Sequence, residues 1–129
     1  EFLFKMYLNR ITKISNNLIS KIKAEKISDK SLIKKIKLKK GTEAIILLDE
    51  KGEKVTTEKF KHLLFGTSFS KILFVLGGTD GFSEEIINLS NKQISLSKMT
   101  LTHSFAAIIL LEQIYRSVTI KINHPYHRA

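Results

Sequence analysis

Cysteine and tryptophan are absent from this chain, proline occurs once and glycine six times. Without cysteine there is no disulfide scaffold, no Cys-ligated zinc site and no thiol catalysis. So little proline and glycine excludes collagen-like and proline-rich low-complexity classes. Long hydrophobic runs are lacking as well. The longest, Phe105 to Leu111, is about a third of the ~20 residues needed to cross a bilayer, so no membrane partner is expected. The start, Glu1-Phe2-Leu3-Phe4-Lys5, has neither the basic-then-apolar layout nor the cleavage site of a secretory signal. A soluble cytoplasmic protein is expected.

What is present is basic and globular. The 129 residues are room for one domain, with 43% hydrophobic and 26% charged residues. Lysine and arginine number 22 against 12 acids, a formal charge of +10. That excess points to a polyanionic partner, nucleic acid ahead of an anionic membrane. Nine of the twenty residues from Lys21 to Lys40 are lysines, a phosphate-binding run or a solvated face.

Apolar spacing of three and four predicts a helix over 2–14 (Phe2, Leu3, Met6, Leu8, Ile11, Ile14). Alternation from Leu18 to Lys26 predicts a half-buried strand. Ser28 or Asp29 caps a helix over 31–40 with Leu32, Ile33, Ile36 and Lys40 on one stripe and Gly41 past its end. The continuous run Glu43 to Asp49 reads as a strand buried on both faces. Glu50-Lys51-Gly52-Glu53 then turns the chain, and Thr56 or Thr57 caps a helix to about Phe65. Lys71 to Leu76 is a second buried strand, followed at once by Gly77-Gly78-Thr79-Asp80-Gly81. Ser83 opens a helix with Glu84 and Glu85 in its first turn. Ile94 to Leu96 is a short third strand. The helix from about Thr102 to Ser117 is apolar nearly all round and must be covered on more than one side. Strands alternating with helices predict one α/β domain with a mainly parallel sheet.

Several residues invite a chemical reading. Gly77-Gly78-x-x-Gly81 suits close backbone approach to a ligand at the end of a strand, or simply a tight turn. It is neither Gly-x-Gly-x-x-Gly nor a phosphate loop. His124 and His127 are three apart, but Pro125 blocks the helix that would align them and no third ligand is near, so no metal is expected. The tail Asn123-His124-Pro125-Tyr126-His127-Arg128-Ala129 is either a frayed terminus or a segment able to stack on a base and grip phosphate. His103, at the mouth of the apolar helix, reads as a hydrogen-bonded structural histidine. The acids are scattered, so hydrolase chemistry has no support.

Five stretches occur in order: Leu48-Asp49-Glu50-Lys51-Gly52, Phe74-Val75-Leu76-Gly77-Gly78-Thr79-Asp80-Gly81, Ile94-Ser95-Leu96-Ser97-Lys98-Met99-Thr100, Leu111-Glu112-Gln113-Ile114-Tyr115-Arg116 and His124-Pro125-Tyr126-His127-Arg128. Together they resemble the bacterial large-subunit ribosomal RNA pseudouridine N3-methyltransferases, small members of the SPOUT (trefoil-knotted) class. The match covers about residues 6–129 and is strongest from Ile45 onward. The resemblance implies a homodimer with a C-terminal trefoil knot, a rare exception to unknotted connections. It also implies S-adenosyl-L-methionine held among three loops, at Leu48, Gly77, Leu96, Ser97, Lys98, Met99, Thr100 and Leu101. Lys98 fits there only with its ammonium turned to solvent.

On this resemblance the substrate is N3 of a pseudouridine in 23S ribosomal RNA, within the assembled ribosome. The tail residues His124, Tyr126, His127 and Arg128 are then the catalytic candidates, reaching the partner subunit's active site. There Arg128 would bind phosphate or a carbonyl oxygen, Tyr126 would stack, and His127 would position or deprotonate the base. The family's first strand, of roughly a dozen residues, has no counterpart before the helix matched by Met6–Ile14, which is expected to leave a sheet edge unpaired. Competing readings are a catalytically weak or inactive RNA-binding protein of the same fold and an unrelated nucleotide-binding α/β domain.

Overall fold

The computed structural model describes residues 2–15, 18–77 and 80–128. The elements run α1 (Phe2–Ile14), α2 (Asp29–Lys39), β1 (Ala44–Lys54), α3 (Thr57–Gly66), β2 (Ile72–Leu76), α4 (Glu84–Leu89), β3 (Lys92–Ser95) and α5 (His103–Lys121). Four of the helices begin on a side-chain cap. Ser28, Thr56, Ser83 and Thr102 each accept a hydrogen bond from the backbone amide three residues on, satisfying a donor the helix cannot. Gly41 follows α2 at φ 88°, the left-handed conformation that ends many helices.

All strands are parallel, in the order β2-β1-β3. Successive residues of β1 divide between two cores. Ile46 and Leu48 join Ile11 of α1, Phe60 of α3 and Leu110, Leu111, Ile114 and Tyr115 of α5. Ile45 and Leu47 face the other way, against Leu32 and Ile36 of α2, Val75, and Ile86 of α4. The sheet is thus sandwiched between helices on both faces, which is why β1 is a continuous apolar run.

Three expectations need correction. No strand forms over 18–26 among the described residues. Burial there falls on Ile19 and Ile22, a spacing of three rather than the two a strand requires, while Lys21, Lys23 and Lys26 stay exposed. Next, Glu50–Glu53 does not turn the chain out of the sheet, because β1 runs on to Lys54. Leu48 and Glu53 both pair with Ile94, so residues 49–52 bulge out and the strand re-enters. Gly52 makes this possible, since a Cβ there would stand 2.7 Å from backbone atoms of Gln93 and Ile94. Finally, in β2 only Val75 is fully buried, because β2 is an edge of the described sheet.

α5 is buried along its second half, from Leu110 to Thr119. Its first residues, His103 to Phe105, are exposed, Phe105 at 60%, and Ala106 to Ile109 are half-buried.

Candidate active site

Parallel strands place their carboxyl ends together. Leu48 pairs with Leu76 on one side and Ile94 on the other, so the segments after Leu48, Leu76 and Ser95 open at one end of the sheet, where α/β proteins bind ligands. Hydrogen bonds tie these segments to one another. Gln93 Nε2 donates to Asp49 Oδ2 (2.8 Å) and Thr100 Oγ1 to Glu50 Oε2 (2.7 Å). Ser95 Oγ donates to the Ser97 carbonyl (2.7 Å), and the Met99 amide donates to Ser97 Oγ (2.9 Å). His103, in the first turn of α5, sets Nδ1 3.2 Å from the Gly77 carbonyl oxygen.

Leu48, Gly77, Leu96, Ser97, Lys98, Met99, Thr100 and Leu101 therefore belong to one end of the sheet. Leu48 is buried, and Gly77, Leu96, Ser97 and Leu101 are half-buried. Lys98, Met99 and Thr100 are exposed. A Cβ on Gly77 would lie 2.8 Å from the Phe82 ring, so that loop is drawn in as closely as a glycine allows. Gly81, at φ 74°, closes the loop beside Asp49. Gly78 and Thr79 lie outside the described residues. Apolar walls from Leu48, Leu96 and Leu101, main-chain polar groups and a missing side chain at Gly77 suit a flat heteroaromatic ring such as adenine. A cavity of about 510 Å³ lies elsewhere, under α3 where β1 and β3 begin (Ala44, Asn91, Lys92).

From Asn123 to His127 the tail is not frayed, and Ala129 lies outside the described residues. Asn123 takes φ 61° and the His124 amide donates to the Thr119 carbonyl (2.8 Å), which turns the chain back along α5. There Glu112 is the hub. It accepts two bonds from Arg116 (Nη2 at 2.6 Å, Nε at 3.2 Å) and one from the Tyr126 hydroxyl (2.8 Å). The Tyr126 ring meets Tyr115 edge-on at 4.7 Å and carries the Arg116 guanidinium over its face at 4.9 Å. Arg116 Nη1 lies 3.1 Å from His127 Nδ1, and the Tyr126 amide donates to His124 Nδ1 (3.2 Å). Arg128 is exposed.

Burial alone would raise the Glu112 pKa, but the bonds from Arg116, Tyr126 and Gln113 outweigh it and hold the carboxyl below its ordinary value. Burial, reinforced by Glu112, pushes the Tyr126 hydroxyl up. A depressed carboxylate contributes stability above its unfolded value of 4.5, lost as pH falls through the folded one. The tail is therefore expected to detach from α5 only on acidification below about pH 4.5, a change visible in tyrosine fluorescence and removed by Glu112→Gln.

Glu112 and Arg116 lie within one of the five motifs, but their role was not legible there. Their spacing of four was the available signal, and on a helix that spacing is commonplace. The contact between His103 and Gly77 joins residues 26 apart and had no local signature.

A family model described as "Predicted SPOUT methyltransferase" matches residues 1–127. The chain belongs to the SPOUT methyltransferase family. A C-terminal trefoil knot is the fold this membership implies, and the parallel β2-β1-β3 sheet between helices is consistent with it. Among the relatives are three bacterial proteins named Ribosomal RNA large subunit methyltransferase H. That of Dictyoglomus thermophilum is 46% identical over 112 residues, covering 84% of this chain and 69% of the relative. That of Campylobacter lari is 49% identical over 83 residues, covering 64% of this chain and 54% of the relative. That of Clostridium botulinum (strain Kyoto / Type A2) is 35% identical over 137 aligned positions, covering 95% of this chain and 86% of the relative. The match to the Campylobacter protein thus spans little more than half of its length. No described helix is long and apolar enough to cross a membrane.

Proposed function

We propose that this protein is an S-adenosyl-L-methionine-dependent methyltransferase of large-subunit ribosomal RNA, modifying N3 of a pseudouridine in the assembled ribosome. It works in the cytoplasm as a homodimer, with residues 1–129 belonging to a single domain. The observation that carries the reading is the set of three hydrogen-bonded loops after Leu48, Leu76 and Ser95 in a SPOUT chain whose relatives bear that ribosomal RNA name.

S-adenosyl-L-methionine, when bound, supplies an electrophilic methyl group on a sulfonium. Leu48, Leu96 and Leu101 would flank the adenine, Gly77 would admit it, and main-chain groups left free between Ser97 and Thr100 would hydrogen-bond it. Lys98 keeps its ammonium in solvent. Arg128 holds phosphate or a carbonyl oxygen of the RNA, Tyr126 and His124 shape the tail, and His127 acts on the pseudouridine ring. The residues mainly position the reactants.

The need for a second copy follows from distance. The tail docks at Glu112 and Arg116, whereas His103 and Gly77 stand at the start of α5. The thirteen residues from His103 to Arg116 place them about 20 Å apart along the helix. A two-fold pairing of antiparallel α5 helices brings the tail of one chain to the loops of its partner and covers Phe105.

RNA contact falls to the lysines that the fold leaves unpaired. Lys35 pairs with Glu25, Lys37 with Glu85 and Lys39 with Glu43, while Lys40 donates to the Leu89 carbonyl. Lys21, Lys23, Lys26, Lys30 and Lys34 have no ion pair among the described residues. Changing these five to glutamine is expected to flatten the slope of log affinity for ribosomes against log salt by about 4, roughly one for each phosphate no longer neutralised. An unchanged slope assigns phosphate binding to another surface.

The reading as a whole is tested by titrating S-adenosyl-L-methionine into the protein, and by comparing methylation of assembled ribosomes with that of free ribosomal RNA. Cofactor binding with activity on ribosomes and little on free RNA is expected. Equal rates on free RNA contradict action on the assembled particle, and salt-sensitive RNA binding without cofactor uptake identifies a protein that only binds.

A further inference from the structure

We infer that His103 is the general base that takes the N3 proton, and that the Glu112–Arg116 pair fixes His127 as a hydrogen-bond donor rather than a base. The inference rests on the methyltransferase reading above and goes beyond it in dividing the labour among the histidines.

A guanidinium has only N–H groups to offer, so Arg116 Nη1, 3.1 Å from His127 Nδ1, requires Nδ1 to be the acceptor. Neutral His127 then carries its proton on Nε2. A further proton on Nδ1 would break that bond and set two cations face to face. Arg116 cannot swing away without losing Glu112, which grips Nε and Nη2. Glu112 is held in turn by the Tyr126 hydroxyl and Gln113 Nε2. His124 is fixed in the same sense, because its Nδ1 accepts from the Tyr126 amide. Both tail histidines therefore present Nε2–H, and neither offers a lone pair.

His103 has the opposite arrangement. A carbonyl oxygen can only accept, so Nδ1, 3.2 Å from the Gly77 oxygen, carries the proton, and the neutral ring keeps a lone pair on Nε2. The residue is exposed, so substrate can reach that nitrogen, and its ring is bonded to the Gly77 loop. In the step itself the N3 proton passes to Nε2 of His103. The N3 electron pair forms the bond to the transferred methyl carbon, whose former bonding pair stays on sulfur, and the imidazolium returns its proton to water. Negative charge on the ring spreads to the carbonyl oxygens flanking N3, where the Nε2–H of the partner subunit's His127 donates.

The test uses the full chain. Imidazole nitrogen NMR at neutral pH is expected to show the Nδ1–H tautomer for His103 and Nε2–H for His127, the latter becoming mixed in Arg116→Gln and persisting in Arg116→Lys. Methyl transfer to ribosomes is then compared between two side-chain mimics. His103→Asn keeps an amide donor for the Gly77 carbonyl but has no base, whereas His127→Gln keeps a donor at the Nε2 position. The expected result is a loss of about 10²-fold or more in His103→Asn with cofactor affinity retained, and His127→Gln clearly more active than His127→Ala. Nε2–H on His103, or His103→Asn active while His127→Gln is as inactive as His127→Ala, overturns the assignment. If the unaltered protein methylates nothing although the tautomers are as stated, the methyltransferase reading has failed and this role falls with it.

Discussion

Methyl transfer by the His127→Ala variant is expected to fall by about 10²-fold, the usual cost of removing one donor aimed at developing charge. Affinity for S-adenosyl-L-methionine is expected to stay within about twofold, because catalysis draws on contacts that are stronger in the transition state than in the ground state. Arg128→Ala behaves alike, with a larger share of its loss in RNA affinity. Both expectations come from the position of the tail, which is organised on Glu112, Arg116 and Tyr115 at the far end of α5 from the loops around Gly77. A tenfold or greater loss of cofactor binding in either variant contradicts the roles given to them. Mixing is a sharper form of the same experiment. A Gly77→Val chain has a blocked cradle and a sound tail, and His127→Ala the reverse. Dimers containing one of each hold one complete composite site, so activity is expected to return on mixing, whereas a site built within a single chain predicts none.

Gly52→Ala is expected to destabilise the protein by about 3 kcal/mol, at the upper end of the usual range for overpacking. The Cβ would meet three backbone atoms of Gln93 and Ile94 at 2.7 Å, and backbone in a paired strand cannot rotate aside as a side-chain tip can. The strands must part where β1 re-enters beside Ile94, next to Leu48 and Leu96. Thermal unfolding should fall by about 10 °C, and cofactor affinity should weaken with it. Gly66→Ala is the control. Nothing lies within 4 Å of a Cβ there and the residue ends α3, so the change should be neutral or stabilise by a few tenths of a kcal/mol. Equal melting temperatures for Gly52→Ala and the unaltered protein would mean that the bulge relaxes freely.

These residues also mark how far local pattern reaches. The helix starts near Ser28, Thr56 and Ser83 are legible because a short hydroxyl ahead of an apolar period satisfies a helix amide within three residues, although Asp29 and Thr57 offered the same chemistry one residue on. The double burial of Ile45 to Leu48 is legible because a strand covered on both faces needs no polar position. The segment 18–26 misleads because alternation says which faces a strand would have and nothing about whether an edge is there to pair with. Gly52 misleads in the other sense. Beside Glu50, Lys51 and Glu53 it reads as a turn, and only the approach of Gln93 and Ile94 shows it to be a bulge inside a strand. The cofactor-binding role proposed for the loop from Leu96 to Leu101 comes from the family resemblance, which carries information that spacing does not. The resemblance points to the tail, but the tail's attachment to Glu112 and Arg116 and the contact of His103 with Gly77 are tertiary, and they decide which nitrogen of each histidine is free.

The most direct test is nucleoside mass spectrometry of large-subunit ribosomal RNA, after ribosomes from cells lacking the enzyme are incubated with this protein and methyl-labelled S-adenosyl-L-methionine. The account predicts labelled N3-methylpseudouridine from ribosomes and little from free RNA, with none when Gly77 carries a valine. Label on another base or atom, or no label from a protein that binds the cofactor, would contradict it.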